Sequence, residues 1–224
     1  MWEAAVDGRT LHFHLFGINN QNFIMRDEET GSWWQQASGE AIFGPLKGHH
    51  LTPVRMDELS FALWKREHPA GRVLRPDPSV TQYESKDWEA HIEKLPLAIH
   101  ARSKRLPDRE IVIGISVDGQ DKAYPMRSVL AQSPIIDTVG RRHIVLLAGD
   151  DGRSIRAFDR GNVELFRNGN KLFDASGTEW DFNGRGSNGA QLRPLPLLKD
   201  YWFDWENYHP RTAVVRPGDT ERND

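Results

Sequence analysis

Four groups of side chains have the types and spacing to do chemistry. Trp64 and His68 stand four residues apart, as do Trp205 and His209, and each histidine precedes a proline. On a helix that spacing puts indole and imidazole on one face of the last turn, where an imidazolium complements the negative end of the dipole. A histidine held so can serve as base or ligand, but the same spacing also describes an indole in a core with the histidine closing its helix. Occurrence at two places favours the second role, because a scaffold explains duplication more simply than two active sites. Trp33-Trp34-Gln35-Gln36 is an aromatic and amide strip on a strand, with Trp34 and Gln36 on the face opposite Trp33. One face belongs to a core; the other offers a flat platform for a sugar ring or another planar ligand. His12 and His14 alternate on one strand face, a spacing that suits two imidazoles on one metal. No third ligand is identifiable, so no metal site is expected. Asp150, Asp151 and Asp159 bring carboxylates near a turn. Adjacent turn residues rarely converge on one bond, so a glycosidic acid pair is not expected there. No Gly-x-Ser-x-Gly, phosphate loop or dinucleotide fingerprint is present, so neither a catalytic residue nor a cofactor is expected.

The elements that position these groups follow from a repeat. Residues 51–76 and 192–217 align without gaps at an offset of 141: Leu51, Pro53, Trp64, His68, Pro69, Val73, Arg75 and Pro76 fall on Leu192, Pro194, Trp205, His209, Pro210, Val214, Arg216 and Pro217. Upstream, Thr30-Gly31-Ser32-Trp33-Trp34 matches Ser176-Gly177-Thr178-Glu179-Trp180. In the first copy Phe23 to Arg26, Ser32 to Gln36 and Ala41 to Leu46 read as short strands between turn signals. Asp57 to Glu67 reads as a helix carrying Leu59, Leu63 and Trp64, stopped by His68-Pro69, and Val73-Leu74 resumes extended structure. In the second copy Asp200 is expected to cap a helix with Tyr201, Trp205 and Tyr208 on one face. Each unit is thus a small antiparallel sheet covered by one helix.

Between the copies, Trp88, Ile92 and Leu95 give a short amphipathic helix ending before Pro96, and Arg102 to Glu110 reads as a linker. A strand-rich block follows: Ile111 to Val117, the turn Asp118-Gly119, then Ala123-Tyr124, which is a hairpin signature. Pro125 opens a helix holding Met126, Val129 and Leu130 that Pro134 closes; His143 to Leu147 and Ile155 to Phe158 are strands around the Asp150-Asp151-Gly152 turn. The first copy has no counterpart of this block, so its sheet is expected to expose an edge or borrow pairing. The expected organisation is a truncated lobe over 1–80, a helical linker over 81–109, a complete lobe over 110–218 and a flexible tail over 219–224.

Composition sets the outer bounds. Of 224 residues, 53 are Leu, Ile, Val or Phe, enough for a core, so wholesale disorder is excluded. With 29 Lys and Arg against 32 Asp and Glu the net charge is -3, so no basic field calls for nucleic acid or an anionic membrane. There is no cysteine, hence no disulfide, thiol nucleophile or thiolate metal site. The longest apolar run, Ile111 to Val117, is too short to span a bilayer, and the N-terminus carries no signal segment.

Two blocks carry a family resemblance. Gly31-Ser32-Trp33-Trp34-Gln35-Gln36, Gly39-Glu40-Ala41-Ile42, Gly44-Pro45-Leu46 and Trp64 with His68-Pro69 resemble the C-terminal half of the prokaryotic domain of unknown function 3179 (DUF3179) family. Val112-Ile113-Gly114-Ile115, Asp118-Gly119, Ala123-Tyr124-Pro125 and Asp137-Thr138-Val139-Gly140 are similar to its N-terminal half. The resemblance brings no assigned chemistry. It implies a Cys-Pro-Leu-Cys-like segment near Gly149 to Gly152, where this chain has Gly149-Asp150-Asp151-Gly152, so the chain reads as a partial, degenerate member. It also implies that relatives are often exported; with no export signal here, Met1 is read as a start internal to a longer ancestral protein.

The fold class expected is α+β, mainly short antiparallel strands in two related lobes, each with a helix ending in His-Pro. The function expected is a non-catalytic binding or interaction module for a small molecule, glycan or protein. Trp34, Gln36, His68, Trp180, Asp181 and His209 are its candidate ligand surface. The alternatives are a hydrolase acting on a carbohydrate or small acylated substrate in an inter-lobe groove, and a fragment that needs an N-terminal portion.

Overall fold

A computed structural model describes residues 1–19, 22–75, 77–79, 87, 91 and 94–215. Of the helix expected around Trp88 and Ile92, both named residues lie outside these, as do Pro76, Arg216 and Pro217 of the repeat and the tail from 218. The strands run in chain order as β1 (Ala5–Val6), β2 (Arg9–Thr10), β3 (Phe13–Asn19), β4 (Asn22–Asp27), β5 (Trp33–Gln35), β6 (Ala41–Phe43), β7 (Ile111–Val117), β8 (Gln120–Pro125) and β9 (Ile135–Val139). They continue as β10 (Arg142–Ala148), β11 (Ile155–Asp159), β12 (Leu165–Asn168), β13 (Lys171–Asp174), β14 (Glu179–Trp180), β15 (Arg193–Leu195), β16 (Leu198–Tyr201) and β17 (Ala213–Val214). Three helices accompany them among the described residues: α1 (Phe61–Glu67), α2 (Met126–Gln132) and α3 (Trp202–Tyr208). The class is α+β.

Five small sheets result, ordered β1-β2, β3-β4-β5-β6, β16-β7-β8-β17, β15-β11-β10-β9 and β12-β13-β14. Every pairing is antiparallel except that of β17 with β8. The β7–β8 hairpin closes through Asp118 and Gly119, whose φ values of 51° and 74° give the turn whose twist suits a two-residue connection. β7 is buried on both sides, so its apolar run does not alternate with polar residues. Val112 faces Trp202 and Trp205 of α3, while Ile113 and Ile115 face the main core with α2, β9, β10 and β11. β10 is likewise shared: Ile144 and Leu146 join that core, and Val145 and Leu147 join a second one with Phe158, Leu165, Leu172 and Trp180. The first 60 residues have only a small core of their own, Leu11, Trp34, Ala41 and Leu51. Most of the buried apolar surface therefore lies after residue 110.

Two local readings need correction. α1 starts after Ser60, whose hydroxyl accepts from the Leu63 N–H at 3.2 Å, and not at Asp57. Asp57 is drawn away by Arg156, whose Nη2 donates to its carboxylate at 2.8 Å. Asp200 does not cap α3 either. Tyr201 is the N-cap, without a side-chain bond, and Asp200 ends up inside β16 opposite Val112.

α1 is held from the far half of the chain. Ser60 N–H donates to Ser154 Oγ at 3.0 Å, Arg66 meets Asp150 at 2.6 Å, and Glu67 takes Arg156 at 2.8 Å. Arg156 is 5% exposed and satisfies Asp57, Glu67 and Asn183 at once, with Phe182 below its guanidinium plane. Removing one partner of a buried ion network strands the others without solvation. Arg156→Met should therefore cost about 3 kcal/mol, the low end for a buried pair because both acids keep some solvent. In thermal unfolding that is a fall of roughly 6 to 12 °C for a chain of this size. The hydrogen bond from Arg156, opposed by burial, lowers the Glu67 pKa. The native contribution is thus present above the ordinary glutamate range and lost as pH falls through the lowered value, so the gap between variant and parent should narrow in acid.

Candidate functional site

Trp34 and Trp33 part at the β5 backbone. Trp34 is fully buried in the first core, with its Nε1 donating to Asp27 at 2.7 Å, so it belongs to no ligand surface. The indole that faces outward is Trp33, in a row with Phe16 and Phe43 at 4.6 Å each. Gln36, just past β5, turns towards a cavity of about 650 Å³ between the first sheet and β16. Apolar walls come from Trp2, Phe13, Phe23, Met25, Leu51, Met56 and Leu198, and polar groups from Asn22, Gln36, Lys199 and Asp200. Trp2 is fixed across this wall by its Nε1 bond to the Gln36 carbonyl at 2.7 Å.

The polar end of the cavity holds Asp200, one member of a carboxyl pair. Asp200 sits in β16, which runs directly into α3, and Asp204 lies in the first turn of that helix, so the two carboxyls meet. Burial, then the charge of Asp204, pushes the Asp200 pKa up to about 8, and burial raises Asp204 as well. Two acids in contact in a dry place cannot both ionise, so the pair keeps a proton where ordinary aspartates have lost theirs. Asp204 does not line the cavity and accepts from the side chain of Asn22, which does. One turn on, burial and then Asp204 push Tyr208 up to about 12, and its hydroxyl lies beside Gln35. Lys199 is committed to Glu58 at 2.8 Å. Sequence reasoning missed the pair because Asp200 had a ready explanation as a cap. The visible signal was Asp-Tyr-Trp-Phe-Asp, two acids one helical turn apart among aromatic residues.

The other candidates fall elsewhere. Trp180 and Asp181 line a groove of about 390 Å³ beneath α1, together with Leu63, Arg66, Glu67 and Asp150. The Trp180 Nε1 is bound to Asp174 at 3.2 Å, and Asp181 accepts from the N–H groups of Asn183 and Arg185 to close a turn. His68 is exposed at the C-cap of α1, whereas His209 stacks on Trp205 at 3.7 Å and is kept neutral by burial, which lowers its pKa. Neither imidazole lines either cavity. The six residues thus occupy five separate places.

Asp150, Asp151 and Asp159 do not converge: they bind Arg66, Ser154 and Arg142 respectively. His12 is paired with Glu29 at 2.6 Å, a bond that raises its pKa, and among the described residues no three potential metal ligands come together. No helix among the described residues is long and apolar enough to cross a membrane.

The sequence model of a family described as "Protein of unknown function (DUF3179)" matches residues 1–212 in one stretch. The chain belongs to that family. Comparison with curated proteins and with solved structures returns no match. The Gly149 to Gly152 segment of this DUF3179 chain is a turn held by the Arg66 pair and by Asp151 to Ser154, a region built from charged and hydroxyl groups.

Proposed function

We propose that this DUF3179 chain is a non-catalytic binding module, built from a β-rich unit used twice, that takes a small molecule into the Asp200 cavity. The ligand class is an apolar body ending in a hydrogen-bond acceptor such as a carbonyl. The observation that carries this reading is a cavity of about 650 Å³ with mainly apolar walls and a carboxyl at its polar end that retains its proton. The Asp200 proton is taken by Asp204 and the Asp200 Oδ1 accepts from the Tyr201 N–H, so the pair adds little charge to the wall. The donor offered to a ligand is the amide of Gln36, whose oxygen already accepts from the Phe23 N–H. The coupled acids are also what favours a hydrolase. Acid–base chemistry needs a donor and a separate base facing one bond, however, and here Asp204 faces Asn22 while Lys199 is tied to Glu58.

The duplication is supported by matched local geometry. The C-caps of α1 and α3, His68 and His209, have φ and ψ of -125° and 66° against -124° and 64°. Trp34 and Trp180 both bind an aspartate that precedes the intervening turn. A Cβ on Gly39 would meet Trp2 at 2.8 Å, and one on Gly184 would meet Phe158 at 2.5 Å. Trp2 bridges Pro53 as Phe158 pairs with Pro194.

The test is a nuclear magnetic resonance screen of aryl amides and aryl ketones beside chromogenic esters and glycosides. Binders should shift the Trp2 indole N–H, Asp200→Asn should retain them, and Gln36→Leu should weaken them at least tenfold. Turnover of any chromogenic substrate that Asp200→Asn abolishes would refute the non-catalytic reading.

A further inference from the structure

α1 and the residues after it repeat, position for position, the parts that α3 and β17 use to hold the β7–β8 hairpin. Phe61, Trp64, Val73 and Leu74 stand 141 residues before Trp202, Trp205, Val214 and Val215. In the later set both indoles are buried, and the Trp205 ring fills the space that any side chain on Gly114 of β7 would need. Val214 runs parallel to β8 opposite Ala123, and the Val215 N–H donates to the Ala123 carbonyl at 3.0 Å, which leaves Val215 4% exposed. His209 lies close enough to Asp121 of β8 to feel its charge.

In the earlier set the backbone ends its helix the same way, yet among the described residues nothing of this kind covers it. Phe61 is 64% exposed and Leu74 92% exposed, and residues 72–75 pair with no strand among the described residues. The Trp64 indole rests on the Gly71 backbone and stands 5.9 Å from His68, where its counterpart is pressed to 3.7 Å. Three exposed apolar side chains, Phe61, Val73 and Leu74, beside the half-buried Trp64 mark an interaction surface.

We propose that the Phe61–Trp64 face of α1 with residues 72–75 is a docking surface for a β-hairpin of a partner polypeptide that resembles Ile111–Pro125. Its first strand carries a glycine beneath Trp64 between β-branched residues. Its second strand offers a free edge that residues 72–75 join in parallel and an acidic residue facing His68. Main-chain bonds at the edge supply affinity, and the indole over glycine supplies selectivity. A second copy of this chain is not the partner, because its own hairpin is already held by α3 and β17. The inference rests on the duplication proposed above.

The probe is a backbone-cyclised peptide of residues 111–125, titrated into the full chain by calorimetry with the Trp64 indole N–H followed by nuclear magnetic resonance. Saturable binding that shifts Trp64, and that weakens at least tenfold with Trp64→Ala, with Leu74→Asp, or with Gly114→Val placed in the peptide, is the expected result. Absence of binding overturns the proposal, and so does binding that Trp64→Ala leaves unchanged or self-association of the chain through this face. Circular dichroism of Trp64→Ala should match the parent, since the indole is only half-buried. Trp64 lines no wall of the Asp200 cavity, so small-ligand binding in the cavity is read on the same variant, and the two proposals fail separately.

Discussion

Gly114→Ala should destabilise the chain by about 3 kcal/mol, the upper part of the range for adding a methyl to a filled core. The added carbon would fall inside the van der Waals surface of the Trp205 indole, and neither side has room to retreat. β7 is paired at this residue on both flanks, with Leu198 of β16 and Ala123 of β8. The indole is 2% exposed and pinned by its Nε1 bond to Thr212 Oγ1 at 2.9 Å. Chemical denaturation read by tryptophan fluorescence would measure the loss. A cost under about 0.5 kcal/mol, the size of an ordinary surface change, would mean that the indole is not seated there.

Raising the pH should weaken the fold through Asp200 and Asp204. Their pKa values are raised in the folded chain, Asp200 to about 8, against an unfolded value near 3.9 for aspartate. A raised group contributes fully below the unfolded value and loses that contribution as pH climbs to the folded one, so stability should fall between about pH 4 and pH 8. Each unit is worth about 1.4 kcal/mol, so a loss of a few kcal/mol is expected from this pair over that window. Asp200→Asn removes the titrating acid while keeping a donor and an acceptor. It should flatten the slope and leave the variant the more stable protein at pH 8. Urea midpoints at three pH values read both effects, and parallel curves for parent and variant would show that the pair does not hold its proton.

Much of the secondary structure was legible because its signals are short in range. The Asp118-Gly119 turn, the stop at His68-Pro69 and the apolar run of β7 each depend on neighbours within a few residues. β9 is not legible in the sequence because Ile135 to Val139 is a short mixed segment after a proline, and its strand character shows only once it pairs with β10. The start of α1 was misplaced for a similar reason: Asp57 looks like a cap locally, but Arg156, 99 residues away, competes for it.

The site was less legible than the fold. Gln36 lines the cavity because it lies past the end of β5, where strand alternation no longer holds, whereas Trp34 inside the strand faces the first core. Sequence by itself determined the α+β class, the family, the absence of thiol chemistry and the matched His-Pro helices, all of which follow from residue type and local spacing. Tertiary structure alone decided that Asp200 and Asp204 share a proton and that one aromatic helix face is covered while its counterpart is open. Proton affinity and exposure depend on which distant groups exclude water, and no spacing along a chain records that.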